Sequence, residues 1–279
     1  MAKSCVSPEG DASVPLGMEH RGSARHFLEL GPRYAHTLEF FAWTLGMAGR
    51  YLLEISVDGL DKALAAERGG ADRIELCADL SVGGLTPTQE VLCGVRKKVR
   101  IPIFSMVRPR AGDFVYSGSE FEDMKRAIAD AKESGMDGVV LGILGKGYRV
   151  DVERTQELVS LAGPLPVTFH RAFDECADLR ETLEAVIRTG ATRILTSGGA
   201  SGAPEGAAVL AGLIHLSRDR VTILPGGGIS ASNFNDVARR THAHEFHSGL
   251  SSELPYSSGD YRRFEAEVRK LAGQVAQLP

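Results

Sequence analysis

Three side chains that could do chemistry follow one another at the end of a predicted strand. His170 ends the strand that begins at Val167, and Arg171 and Asp174 lie in the loop directly after it. A histidine can exchange a proton near neutral pH, an arginine binds anions, and a carboxylate can accept a proton or orient a neighbouring group. This combination at a strand end indicates a functional site.

Polar side chains also occur on other predicted strands. Side chains alternate between the two faces of a strand, so each strand can turn its polar residues to one common face. The residues concerned are Glu54 and Ser56 on the first strand, Arg73, Glu75 and Cys77 on the second, His170 on the fifth, Thr196 on the sixth, and Glu245 and His247 on the eighth. Buried charges need partners, so a face this polar indicates more than a folding role.

The charged residues of this face allow different interpretations. Arg73 and Glu245 lie deep on their strands, and we expect them to form a structural ion pair. Glu54 and Glu75 lie on adjacent strands, closer to the strand ends. They could form a carboxylate pair with a raised pKa, serve as partial metal ligands, or bind Arg108.

Two glycine-rich loops predict an anion site. One follows the seventh strand and continues into a helix, and the other follows Thr196. Backbone N–H groups at such positions often bind phosphate in barrel proteins, although glycines also serve simply to turn a chain. With arginines nearby, we expect the ligand to be an anionic small molecule. The candidate ligand-binding residues are Arg108, Arg110, Arg171, Asp174, Thr196, Gly226, Gly227, Gly228 and His247.

Strand-like and helix-like segments alternate from Tyr51 to the end of the chain, and this pattern predicts how the polar residues meet. The predicted strands are Leu52–Ser56, Arg73–Cys77, Pro102–Val107, Gly138–Ile143, Val167–His170, Arg193–Thr196, Val221–Leu224 and Glu245–His247. Helical patterns separate them, which is typical of βαβ units and a parallel sheet. Eight units in about 225 residues favour an α/β protein with a (β/α)8 TIM barrel, in which functional residues gather at the C-terminal rim. A doubly wound open sheet is the alternative, but no G-x-G-x-x-G follows the first strand.

Composition limits the classes of partner. The 279 residues carry a net charge of −4 and 43% hydrophobic residues, which indicates a globular protein that binds neither nucleic acid nor an anionic membrane. No signal peptide or membrane span is recognised. The four cysteines lack C-x-x-C spacing, so we predict a reduced, cytoplasmic protein. Residues 1–49 are expected to form a partly disordered N-terminal extension, and residues 50–279 the barrel domain.

A series of ordered motifs resembles the CutC family of copper homeostasis proteins. The motifs are Gly70–Cys77, Gly83–Pro87, Arg108–Phe114, Pro166–Asp174, Leu195–Gly198, Pro225–Ile229 and Glu245–His247. The resemblance implies a cytoplasmic barrel, a homo-oligomer, and binding of a copper ion. It also implies that Cys77 is a Cu(I) ligand, because Cu(I) prefers sulfur. Ser56 stands where some family members carry a second cysteine, and Cys176 or a histidine is a candidate replacement for that ligand.

The sequence is compatible with three functions. The first is a copper homeostasis protein that binds copper at the C-terminal rim through Cys77. The alternative is an enzyme that uses Glu54, Glu75 and His170 for acid–base chemistry on a phosphorylated or carboxylate small molecule, held by the arginines and the glycine loop. A noncatalytic sensor of an anionic metabolite is a third reading, so the sequence leaves open whether the protein is an enzyme.

Overall fold

Eight strands and eight helices alternate through the part of the chain that the structure describes. This computed structural model describes residues 51–251, 253–254 and 259–279, so the expectation for residues 1–49 lies outside it. The strands are β1 Leu52–Val57, β2 Arg73–Leu76, β3 Ile103–Met106, β4 Gly138–Leu141, β5 Val167–Phe169, β6 Arg193–Thr196, β7 Thr222–Pro225 and β8 Glu245–Ser248. The helices are α1 Leu60–Gly69, α2 Gln89–Arg96, α3 Gly118–Glu133, α4 Val152–Ala162, α5 Leu179–Thr189, α6 Ala203–Ser217, α7 Phe234–Thr241 and α8 Tyr261–Val275.

The strands form one parallel sheet that curls into a barrel. Each strand from β1 to β6 pairs with the next, and β1 also pairs with β8, with Glu54 opposite His247. β7 lies beside β8 without a ladder of hydrogen bonds between them, so the barrel is nearly closed. The (β/α)8 prediction is therefore confirmed, and the open-sheet alternative is wrong because the strands follow one another in chain order around the sheet and β7 contacts β8.

Alternation along the strands separates an apolar layer from a polar lumen. The residues expected to face the helices lie together in the buried apolar core: Leu53, Ile55, Ile74, Leu76, Phe169 and Phe246. All six side chains of β1 are buried, because helices cover one face and the lumen fills the other. Glu54 and Ser56 therefore project into the lumen, as predicted.

Short capping interactions fix where the helices begin. Ser117 forms a capping box with Glu120 at the start of α3, and the Asp178 carboxylate accepts from two backbone N–H groups at the start of α5. These contacts set the ends of the loops that form the C-terminal rim. Within the described ranges, none of the helices combines the length and apolar character needed to cross a bilayer.

Candidate functional site

A network of buried charges occupies the lower part of the lumen. Arg73 donates to Glu54 through Nε and to Glu245 Oε2 through Nη2, at 2.8 Å in the second case. Arg193 Nε also donates to Glu245 Oε2, at 2.8 Å. Both guanidinium groups lie over the ring of Phe104, 4.7 and 5.5 Å from its centroid. The predicted pair of Arg73 and Glu245 is confirmed.

Arg193 is a member of this network that the sequence analysis missed. It begins β6 as Arg73 begins β2, and alternation turns both side chains inward. The sequence did contain a signal for Arg193, because it is an arginine at the first position of a strand whose alternate side chains face the lumen.

Glu54 also belongs to a second group. Together with Glu75 and His247 it forms what we call the carboxylate–imidazole group. His247 Nδ1 lies 2.7 Å from Glu54 Oε1, and His247 Nε2 lies 4.0 Å from Glu75 Oε2. One ligand atom from each of the three residues lies within 4.8 Å of the others, and all three side chains are buried. Cys77 joins the group, since its Sγ donates to Glu75 Oε2 at 3.5 Å.

The two carboxyl groups have opposite pKa shifts. Burial raises the pKa of Glu54, but the charge of Arg73 and the contacts with His247 outweigh burial and lower the pKa to about 2. The pKa of Glu75 is raised, because burial dominates, the charge of Glu54 adds to it, and His247 opposes it only in part. These opposite shifts agree with the interpretation of Glu54 and Glu75 as a carboxylate pair with one raised pKa, which stays a prediction.

His247 and Cys77 respond to the same carboxylates. Burial lowers the pKa of His247, but the charges of Glu75 and Glu54 outweigh burial and raise it. Burial, followed by the charge of Glu75, raises the pKa of the Cys77 thiol well above its usual range. The two carboxylates therefore favour the protonated form of both groups.

Two arginines expected to bind a ligand are engaged by other groups of the chain itself. Arg108 donates through Nη1 to the carbonyl of Val82 at 2.8 Å and through Nη2 to that of Gly112 at 2.9 Å. It does not bind Glu54 or Glu75, so that interpretation was wrong. Arg110 donates to Glu120 at 2.6 Å and to Asp113 at 2.8 Å. A ligand-binding role for either arginine stays a prediction.

The loop after β6 already contains an anion, which is the carboxylate of Asp174. This group accepts from the backbone N–H of Ser197 at 3.0 Å and of Gly199 at 3.1 Å, and from the Thr196 hydroxyl. Arg171 Nε donates to it at 2.8 Å. The N–H groups that we expected to bind an external anion are therefore satisfied from within the chain.

The glycine loop after β7 stays a candidate anion site. Gly227 and Gly228 have φ angles of 95° and 72°, a region that favours glycine. Gly226 packs tightly, since a Cβ there would collide with Leu195. Arg171 lies close by, because a Cβ on Gly227 would be 3.3 Å from its Nη1. Of the three predicted ligand-binding arginines, Arg171 is the one placed at this loop.

His170 lies beyond the end of β5 and caps the 3-10 turn Arg171–Glu175. Its Nδ1 accepts the backbone N–H of Ala172 at 3.2 Å, and its buried Nε2 has no partner. Gly142 leaves room for the ring, because a Cβ there would be 2.6 Å from Nδ1. Burial, followed by the charge of Arg108, lowers the pKa of His170 to about 3. The environment thus favours a neutral hydrogen-bond donor over the acid–base role suggested from the sequence.

This shift in the pKa of His170 should make stability pH-dependent. The ordinary value is 6.5 and the folded value about 3, so the unfolded chain binds more protons between these values. The stability contributed by neutral His170 is complete above about pH 6.5 and is lost as the pH falls toward 3. Urea unfolding between about pH 7 and 4 should show a steeper loss for the wild type than for His170→Gln. Parallel losses would contradict the assignment.

Comparison with known proteins gives the family. The sequence profile of the CutC family matches residues 51–252, which include every strand of the barrel. The chain belongs to the CutC family. The "Copper homeostasis protein cutC homolog" of Homo sapiens is 46% identical over 207 residues, covering 74% of this chain and 76% of the human protein.

Bacterial relatives agree with this assignment. A CutC family protein of Xylella fastidiosa (strain Temecula1) is 43% identical over 248 residues, covering 85% of this chain and 93% of the relative. The crystal structure of a CutC protein from Streptococcus agalactiae superposes with a TM-score of 0.68 at 30% identity, covering 71% of this chain and 98% of that one. Fold and family therefore agree with the resemblance seen in the sequence.

Proposed function

We propose that this CutC protein takes part in copper homeostasis by binding a copper ion at the C-terminal end of its barrel lumen. The observation that carries the proposal is the buried group of Glu54, Glu75 and His247, whose ligand atoms lie within 4.8 Å of one another, with the Cys77 thiol 3.5 Å from Glu75 Oε2. Imidazole and thiolate are donors that copper prefers. The names of the human and mouse relatives, copper homeostasis protein cutC homologs, support the same assignment.

Two further atoms of this group are suited to bind a cation. Glu75 Oε1 is buried and has no hydrogen-bond partner, and an unpartnered carboxylate oxygen indicates a missing ligand or cation. Glu54 accepts from Nδ1 of His247 and thereby leaves Nε2 as the atom available to a metal. In this proposal Glu54 is a positioning residue, and copper is the cargo of the protein.

Cys77 is the sulfur ligand in this proposal. Ser56 faces the same lumen but offers only a hydroxyl, which is a poor Cu(I) ligand. Cys176 is part of the buried apolar core, and its Sγ lies 3.7 Å from the carbonyl oxygen of Ala172. We therefore propose a mixed site with one sulfur in preference to a pair of cysteines.

We expect Cys77→Ser to weaken Cu(I) binding at least tenfold, which corresponds to about 1.4 kcal/mol. The measurement is a competitive titration of reduced protein against a chromophoric chelator. Cys176→Ser is the matched control, because it removes a buried thiol outside the carboxylate–imidazole group, and it should bind copper like the wild type. If Cys77→Ser retains wild-type affinity, the proposed sulfur ligand is wrong.

A second candidate is an acid–base enzyme acting on a phosphorylated or carboxylate small molecule. The opposite pKa shifts of Glu54 and Glu75 favour it, because such pairs often divide the acid and base roles. Copper binding does not explain Arg171 beside the glycine loop, whereas an anionic substrate does. A cytoplasmic location, a homo-oligomeric state and the division of the chain at residue 49 remain parts of the proposal.

A further inference from the structure

Several buried polar atoms of the described chain have no hydrogen-bond partner, and they include a group on the β3–β5 side of the lumen. Buried polar atoms are nearly always satisfied, so a group of exceptions needs partners that the protein itself does not supply. The atoms on this side are Arg108 Nε, Thr168 Oγ1 and His170 Nε2. None of these residues belongs to the carboxylate–imidazole group.

The hydrogen bond made by His170 determines what its free nitrogen can do. Because the Ala172 N–H donates to Nδ1, the proton of the neutral ring is assigned to Nε2. The side chain is only 4% exposed, so this N–H is held away from bulk water. Nε2 is therefore a buried donor that needs an acceptor.

The charge of Arg108 favours a negatively charged acceptor. Its Nη atoms are fixed on three backbone carbonyls, of Val82, Gly84 and Gly112, while its Nε has no partner. Its guanidinium lies 4.9 Å from the centroid of Phe114, and the ring of His170 lies 4.8 Å from that centroid. A fixed positive charge beside a neutral donor repels a metal ion and attracts an anionic oxygen.

We propose that His170 and Arg108 form a binding site for the carboxylate of a small organic molecule. The Nε2–H of His170 donates to one carboxylate oxygen, and the charge of Arg108 stabilises the anion. Thr168, two residues earlier in the chain, adds a buried hydroxyl without a partner. This site does not depend on the proposed copper site, since the two share no residue.

The test measures binding of pyruvate and acetate with a chelator present, which keeps metal ions off the carboxylate–imidazole group. Long-range 1H–15N spectra report directly on the His170 ring. We expect pyruvate to shift the Nε2 signal saturably, with a Kd at or below about 1 mM, as for ordinary enzyme ligands. Sodium chloride at equal ionic strength should not shift it. No shift with either carboxylate, or an equal shift with chloride, overturns the proposal.

Two variants of His170 distinguish the loss of the Nε2 donor from a loss of folding. His170→Asn can still accept the Ala172 N–H but lacks the distal donor, whereas His170→Gln places an N–H close to the position of Nε2. Thermal shifts should show pyruvate binding weakened at least about tenfold in the first and within about threefold of wild type in the second. Equal binding by both variants, or binding that appears only when copper replaces the chelator, overturns the proposal and leaves the copper site to its own test.

Discussion

Replacing Arg73 by methionine is expected to lower the free energy of unfolding by about 3–5 kcal/mol. Arg73 is fully buried and neutralises both Glu54 and Glu245. Methionine has a similar length but leaves two buried carboxylates with one cation fewer, and an uncompensated buried charge is costly. Urea unfolding followed by circular dichroism at neutral pH would measure the loss.

The same substitution at Arg68 is the matched control. Arg68 also pairs with a carboxylate, Glu265, at 2.8 Å, but its side chain is 53% exposed. Water and salt screen such a pair, so Arg68→Met should cost only about 0–1 kcal/mol. If the two variants lose similar stability, the lumen network is not the source of the stabilisation that we assign to it.

Replacing Asp174 by alanine is expected to cost about 3 kcal/mol, and added acetate or formate should restore part of it. The carboxylate connects the turn after β5, where Asp174 lies, to the loop after β6, because it accepts from the Ser197 and Gly199 N–H groups. Its removal leaves those donors and the Arg171 guanidinium facing a space that held an anion. A small carboxylate can occupy that space, and binding to the folded state alone raises the melting temperature.

Asp113→Ala provides the comparison for this rescue. Asp113 also binds an arginine, Arg110, at 2.8 Å, but the aspartate is 51% exposed. Its loss should change stability little, because water screens the exposed pair, and acetate should have no additional effect. A large loss in Asp174→Ala that acetate does not reduce would show that the loop rearranges when the carboxylate is removed.

The fold could be predicted because local patterns determine most of it. Strands separated by helices require parallel pairing, and alternation then decided which side of β1 carries Glu54 and which carries Leu53. The prediction was least accurate at strand ends. His170 was assigned to β5, whereas it lies just past the strand and caps the following turn through Nδ1. Periodicity carries no information about such a cap.

The partners of long side chains in loops could not be predicted. Arg108 follows β3, so alternation no longer fixes its direction, and its partners lie in loops distant in sequence, at Val82 and Gly84. Asp174 was recognised as a site residue, but its partner loop lies more than twenty residues away. Both contacts depend on how neighbouring βα loops meet after the barrel has formed.

The gap in the sheet between β7 and β8 has a consequence for the behaviour of this protein in concentrated solution. A strand edge with free backbone groups can pair with another molecule and begin aggregation. Here the two edges face each other closely, because the absent side chain of Gly226 brings β7 within reach of His247 on β8, where a Cβ would be 3.2 Å from the histidine Cβ. Each edge thus shields the other from intermolecular pairing. A larger residue at position 226 would push the strands apart and expose both.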